Sequence, residues 1–254
     1  MINIRSNKFL FKSIEGVIFD KDGTITDSHI YWSKIISMRT AAIIKKFSIN
    51  SIYEDEISAS MGLDTKTNRL LAEGPIALKS RKDVIINVLM YLQKFNKNIE
   101  FHDLEDLFVK VHIQFSKIVN EFIYPIIPCI NLIKELYANN IKLSLITSDT
   151  TSNAELVCEK LNITSYFDFI VGGDQSSSKK ENGLIAINVC EMMNLDSEKV
   201  ICIGDTISDY KMSMNANLKG SILVESGQVP INELLKNTKN CVRSLSEIKI
   251  ERIL

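Results

Sequence analysis

The chain has 254 residues, of which 45% are hydrophobic, enough to fill the core of one large domain or two modest ones and to exclude disorder as its dominant state. Thirty Lys and Arg stand against thirty-one Asp and Glu for a net charge of −1, and no basic block is long enough for a nucleic-acid arm, so the expected partner is a small molecule. No run of apolar residues is long enough to span a membrane. The five cysteines are widely spaced within apolar stretches, and the segment MINIRSNKFLFKSIEG has no apolar run of signal-peptide length. The expectation is buried free thiols in a reducing, cytoplasmic setting.

In chain order, the first apolar run is Gly16–Phe19, short and closed by Asp20, which predicts a buried strand. The interval that follows, 28–122, carries helical periodicity over Tyr31–Phe47, Lys82–Phe95 and Leu104–Phe122 and no convincing strand. Asp27 or Ser28 can cap its first helix, and Tyr124-Pro125 with Pro128 breaks its last one. A helical pattern over Ile130–Asn139 then leads to a strand at Lys142–Ile146. Asn153–Leu161 leads to Phe169–Val171, and Leu184–Asn194 leads to Val200–Ile203, with a last strand at Ser221–Val224. Continuous apolarity in the strands implies parallel neighbours covered on both faces. Strand alternating with helix implies a doubly wound, Rossmann-like α/β sheet. The expected organisation is an α/β core from 1–27 and 123–254 with an all-helical insertion at 28–122.

The first strand ends in Phe19-Asp20-Lys21-Asp22-Gly23-Thr24-Ile25-Thr26-Asp27, which sets two carboxylates two residues apart at the edge where an open parallel sheet presents ligands. Later strands end in Thr147-Ser148-Asp149 and in Gly204-Asp205-Thr206-Ile207-Ser208-Asp209, and the segment Gly172 to Lys180 places two lysines before a helix. Taken singly, each has a bland reading: a polar turn, a helix cap, solvated lysines, or acids stabilising a helix N-terminus.

Their order is informative. The segment Asp20-Lys21-Asp22-Gly23-Thr24, with the three others following in sequence, resembles the haloacid-dehalogenase-like superfamily over essentially the whole chain. The resemblance implies a magnesium-dependent phosphatase acting through an aspartyl-phosphate on a small-molecule phosphomonoester. Asp20 would be nucleophile and magnesium ligand, and Asp22 general acid and base, its backbone carbonyl also binding magnesium. Thr147 and the Ser148 amide would bind the phosphoryl group. A lysine would offset charge, with Lys180 preferred to Lys179 on loop length. Asp205 would bind the metal directly, and Asp209 through a water or by holding the lysine.

Asp22 argues against the dehalogenase, cation-pump and phosphonate-cleaving branches, which lack an acid there. The helical insertion resembles the cap of the phosphoglycolate phosphatase-like branch, so substrate choice is expected within 28–122, where Arg69, Lys79, Arg81 and Lys82 are candidate anion ligands. A sugar-phosphate mutase of the β-phosphoglucomutase kind shares all these residues. A non-catalytic sensor of a phosphorylated metabolite is the alternative from another class.

Overall fold

The computed structural model describes residues 1–76, 79–95 and 98–253. In chain order the elements are β1 (Ile2–Arg5), β2 (Leu10–Ile14), β3 (Gly16–Phe19), α1 (Ser28–Phe47), α2 (Glu54–Met61), β4 (Leu63–Asp64), β5 (Arg69–Leu70), α3 (Arg81–Leu92) and α4 (Phe101–Ser116). There follow α5 (Ile127–Ala138), β6 (Lys142–Ile146), α6 (Thr151–Lys160), β7 (Phe169–Val171), α7 (Leu184–Met192), β8 (Val200–Gly204), α8 (Ile207–Asn215), β9 (Gly220–Val224), α9 (Ile231–Leu234), β10 (Cys241–Val242) and β11 (Lys249–Arg252). They divide into two compact units, Met1–Asp27 with Pro125–Leu254, and Ser28–Tyr124.

The first unit is the expected α/β fold. Six strands form one parallel sheet in the order β10-β9-β8-β3-β6-β7, so β3 lies between the two strands that follow it by long crossovers. Its strands are buried on both faces, and the period of two is still visible in what each side chain meets. Val17, Phe19, Leu143, Leu145, Ile201 and Ile203 pack with Ile133 and Leu136 of α5 and Ala154 and Cys158 of α6. Ile18, Ile146, Val200 and Cys202 pack on the other side with Ile185 and Val189 of α7 and Met212 of α8. A second sheet, β11-β1-β2, is antiparallel, and its Ile2, Ile4, Phe11 and Ile14 join the first of these clusters. Sequence periodicity predicts no element before Gly16. β1 and β2 are too short and too mixed with Asn, Lys and Ser to stand out by periodicity, and β1 pairs with β11 from the far end of the chain.

Four helices of this unit stop in the same way. Asn140, Asn162, Asn194 and Asn217 each lie two residues past the end of α5, α6, α7 and α8, with φ of 55, 55, 51 and 51°. Asn tolerates this left-handed turn better than most residues. The next residue, Ile141, Ile163, Leu195 or Leu218, is apolar and sends its N–H back to the carbonyl of Leu136, Cys158, Cys190 or Ser213. That closure satisfies end carbonyls and points the chain toward the following strand.

In the second unit, α1 to α4 enclose a core of Ile36, Ile43, Ile57, Met61, Val84, Val88, Leu104 and Phe108. A two-residue ladder, β4 with β5, sits among the helices and is too short to produce a periodic signal. The last helix ends at Ser116, before the prolines, and Pro128 instead lies in the first turn of α5, where its missing N–H costs nothing. Among the described residues no helix is long and apolar enough to cross a membrane. All five cysteines are free and buried, and burial pushes the Cys158 thiol up to about 12.

Candidate active site

Parallel strands bring their C-terminal ends to one edge. The ladder aligns Phe19 with Leu145 on one side and with Ile203 on the other, so Asp20, Thr147 and Asp205 follow from three adjacent strands. Asp20 N–H still donates to the Ile203 carbonyl at 2.9 Å, and Thr147 N–H to that of Val171 at 3.1 Å. These residues therefore carry sheet-like rigidity one step past the named strands.

Carboxylate oxygens of Asp20, Asp205 and Asp209 lie within 4.8 Å of one another, and all three residues are buried. One ammonium enters this cluster: Lys180 Nζ is 2.5 Å from Asp20 Oδ1 and 2.6 Å from Asp209 Oδ1. Lys180 is buried while Lys179 beside it is exposed. The other oxygen of Asp209 is occupied as well, accepting from Thr206 N–H at 3.0 Å and Thr206 Oγ1 at 2.7 Å in a capping box at the start of α8. Asp209 thus fixes the lysine with one oxygen and the helix with the other.

The electrostatics follow from crowding three acids around one base in a dry place. Burial raises the Asp20 carboxyl to about 7, against the opposing pull of Lys180, with Asp209 adding to the rise. Asp205 is raised well above the carboxylate range by burial and then by its two acidic neighbours. Burial works against the Lys180 ammonium, but Asp20 and Asp209 outweigh it and hold its pKa above the usual lysine value.

Glycines make this density possible. Gly23 has φ +85°, and a Cβ there would stand 2.3 Å from Asp205 Oδ2; one at Gly227 would stand 1.7 Å from the same atom. At Gly204 it would meet Asp209 Cγ at 2.2 Å. Asp205 therefore lies in a cradle of bare backbone, with Thr24 Oγ1 donating to its Oδ1 at 3.4 Å. Gly227 and its cradle carry no motif in the sequence, and only the fold brings residue 227 to residue 205.

Asp22 is apart from that cluster. Its carboxylate pairs with Lys21 Nζ at 2.8 Å and accepts from Thr26 Oγ1 at 3.4 Å. Lys21 also reaches Asp149 Oδ2 at 3.0 Å, a partnership across 128 residues that local spacing does not reveal. Thr147 is buried and its Oγ1 accepts from Asp149 N–H at 3.1 Å; Ser148 is exposed.

In the helical unit, Arg69 Nη2 lies 2.8 Å from His29 Nε2, and His29 Nδ1 accepts from Leu70 N–H at 3.0 Å. Arg39 is buried with its guanidinium 4.1 Å from the Phe108 ring centre; burial first, then Arg81, lower its pKa to about 9.

The architecture is that of an α/β enzyme with an acid-rich edge to its parallel sheet, and residues 17–223 match the profile of the haloacid dehalogenase-like hydrolases. The chain belongs to that family. It is 26% identical over 216 residues to a phosphoglycolate phosphatase of Aquifex aeolicus, a match covering 85% of this chain and 87% of that protein. Among solved structures it resembles one described as a predicted phosphoglycolate phosphatase from Haemophilus somnus, with TM-score 0.69 and 12% identity over 93% of this chain and 96% of that one. It also resembles a candidate β-phosphoglucomutase from Thermotoga maritima, with TM-score 0.66 and 18% identity over 92% and 96% of the two chains.

Proposed function

We propose that this phosphatase of the haloacid dehalogenase-like family hydrolyses a small phosphorylated metabolite of the phosphoglycolate or sugar-phosphate class through an aspartyl-phosphate on Asp20, with magnesium. The observation that carries the reading is the buried Lys180 between Asp20 and Asp209, with Asp205 in the same cluster. Such a cluster suits a divalent cation, because burial leaves Asp20 and Asp205 short of counter-charge and the glycine cradle keeps Asp205 facing its neighbours. Asp20, Asp205 and the Asp22 carbonyl would hold the ion, which supplies neutralisation of the phosphoryl oxygens.

In the first step an Asp20 oxygen attacks phosphorus, the bond to the leaving oxygen breaks, and Asp22 gives that oxygen its proton. In the second, water attacks phosphorus, its proton passes to Asp22, and the bond to Asp20 breaks to release phosphate. Lys180 orients Asp20 and balances charge, while Thr147 Oγ1 and the Ser148 amide bind phosphoryl oxygens. Asp209 positions Lys180. Substrate choice is assigned to residues within 28–122, with Arg69, Lys79, Arg81 and Lys82 as the candidate anion ligands.

The test is phosphate release from a panel of small phosphomonoesters, with and without magnesium, beside the Asp20→Asn protein. We expect metal-dependent turnover that falls by about four orders of magnitude or more in the variant, which keeps its melting transition. Activity retained by Asp20→Asn would refute the nucleophile. Isomerisation of a hexose phosphate in place of phosphate release would identify a mutase instead.

A further inference from the structure

The residue between the two aspartates of the first motif is itself a buried cation, with only 2% of its side chain exposed. Lys21 Nζ lies 2.8 Å from Asp22 Oδ2, 2.9 Å from Asp22 Oδ1 and 3.0 Å from Asp149 Oδ2. We infer that Lys21, anchored by Asp149, is a positioning residue that holds the Asp22 carboxylate in its orientation for proton transfer. The inference rests on the reading of Asp22 as acid and base.

Three features of the geometry support it. Both oxygens of Asp22 face the same ammonium, which fixes the plane of the carboxylate as well as its place; the Thr26 hydroxyl, at 3.4 Å, is a weaker restraint. Asp149 is itself tied down. Its Oδ1 accepts from Thr150 N–H at 2.8 Å and Asn153 Nδ2 at 3.0 Å, which leaves Oδ2 for Lys21. Burial works against the ionised Asp149, but Lys21 and these donors outweigh it and hold its pKa below the usual value. A chain of contacts thus runs from the start of α6 through Asp149 and Lys21 to Asp22, joining the ends of β6 and β3.

The third feature is that this cluster is not sealed. The side chains of Asp22 and Asp149 are 23% and 27% exposed, so water can solvate both if the ammonium is removed. Lys21 itself is buried, but because both acids reach water the pair contributes less to stability than one sealed on every side. What the ammonium adds is placement, and a reacting group held in place is worth far more to a rate than to a fold.

The experiment compares Lys21→Met, Lys21→Arg, Asp149→Asn and Lys21→Met with Asp149→Asn, each assayed on the best substrate of the panel with magnesium and melted in parallel. We expect Lys21→Met to lower kcat about tenfold to thirtyfold with KM within about twofold and the melting transition nearly unmoved. Lys21→Arg should recover at least half of that loss on a logarithmic scale. Asp149→Asn should lose less, about threefold to tenfold, and the double variant no more than Lys21→Met alone, because both act through one carboxylate. An unchanged kcat in Lys21→Met, or a loss that appears only in KM, overturns the positioning role; so does an Arg variant as slow as Met. Should Lys21→Met fail to fold, unchanged kcat in Asp149→Asn overturns it equally. These outcomes are separate from failure of the phosphatase reading, which would show as an inactive wild type or an active Asp20→Asn protein and would remove both.

Discussion

Two lysines serve the end of one strand in opposite surroundings. Lys180 is enclosed with Asp20 and Asp209, whose side chains are 11% and 1% exposed, whereas Lys21 pairs with Asp22 and Asp149, which both reach solvent. Each lysine bridges two acids, so the difference lies in water and not in charge count. The dry cluster contains the acids that suit nucleophilic attack and a cation, where low polarisability strengthens every electrostatic contact. The wetter one contains the acid assigned to exchange protons with a leaving group and with water. The two aspartates of one motif, Asp20 and Asp22, thereby have separate counter-ions and separate environments, which under the proposed function would divide nucleophile from acid by surroundings.

The comparison breaks most visibly at Lys180. Replacing it with Met strands the acids around one buried site, and we expect kcat to fall by about three orders of magnitude and the protein to lose about 3 kcal/mol at pH 7.5. The loss of stability should shrink at pH 5, where Asp20, already raised to about 7 by burial, is protonated. Lys21→Met, by contrast, should melt almost as the wild type does. Urea titrations of the two variants side by side would settle it: equal destabilisation would erase the distinction between dry and wet clusters.

A subtler test uses pH and magnesium. The Asp20 pKa is about 7 in the fold against 3.8 ordinarily, so between these values the folded state holds a proton that the unfolded chain has lost. Asp20 should therefore make the ion-free protein lose stability as pH rises from about 4 to about 7, and Asp205, raised by burial and its acidic neighbours, acts in the same direction. Magnesium competes with that proton, so the upward shift in melting temperature it causes should be several degrees larger at pH 8 than at pH 5. Melts in chelator and in magnesium across this range would show it; a magnesium shift independent of pH would mean that the ion is bound elsewhere.

Much of the parallel sheet is legible in the sequence because its strands are unbroken apolar runs. Gly16–Phe19 and Lys142–Ile146 fall where expected, and the acids and the hydroxyl residue that follow them need no long-range information. The antiparallel sheet is not legible, since β1 takes its partner from residues 249 to 252. The site divides in the same way. Asp20, Asp22, Asp205 and Asp209 lie in local patterns, and Thr206 to Asp209 has the spacing of a capping box. The bond from Lys21 to Asp149, the closeness of Gly227 to Asp205, and the burial of Lys180 beside an exposed Lys179 are products of tertiary packing, and residue type alone does not distinguish them.

The smallest expected effect concerns the second restraint on Asp22. Thr26 Oγ1 approaches Asp22 Oδ1 at 3.4 Å and the Lys21 carbonyl at 3.3 Å, both near the limit for a hydrogen bond. The turn around it is held by main-chain bonds that any residue keeps: Thr26 N–H to the Lys21 carbonyl at 3.0 Å and Gly23 N–H to the Thr26 carbonyl at 2.7 Å. Valine fills the same buried space without the hydroxyl. Thr26→Val should therefore lower kcat by no more than about threefold and stability by no more than about 1 kcal/mol. Because Lys21 faces both oxygens of Asp22 and Thr26 only one, the lysine variant must be the slower of the two. If Thr26→Val proves slower than Lys21→Met, the hydroxyl and not the ammonium orients the carboxylate, and the wetter cluster would be a solvated ion pair beside the reaction.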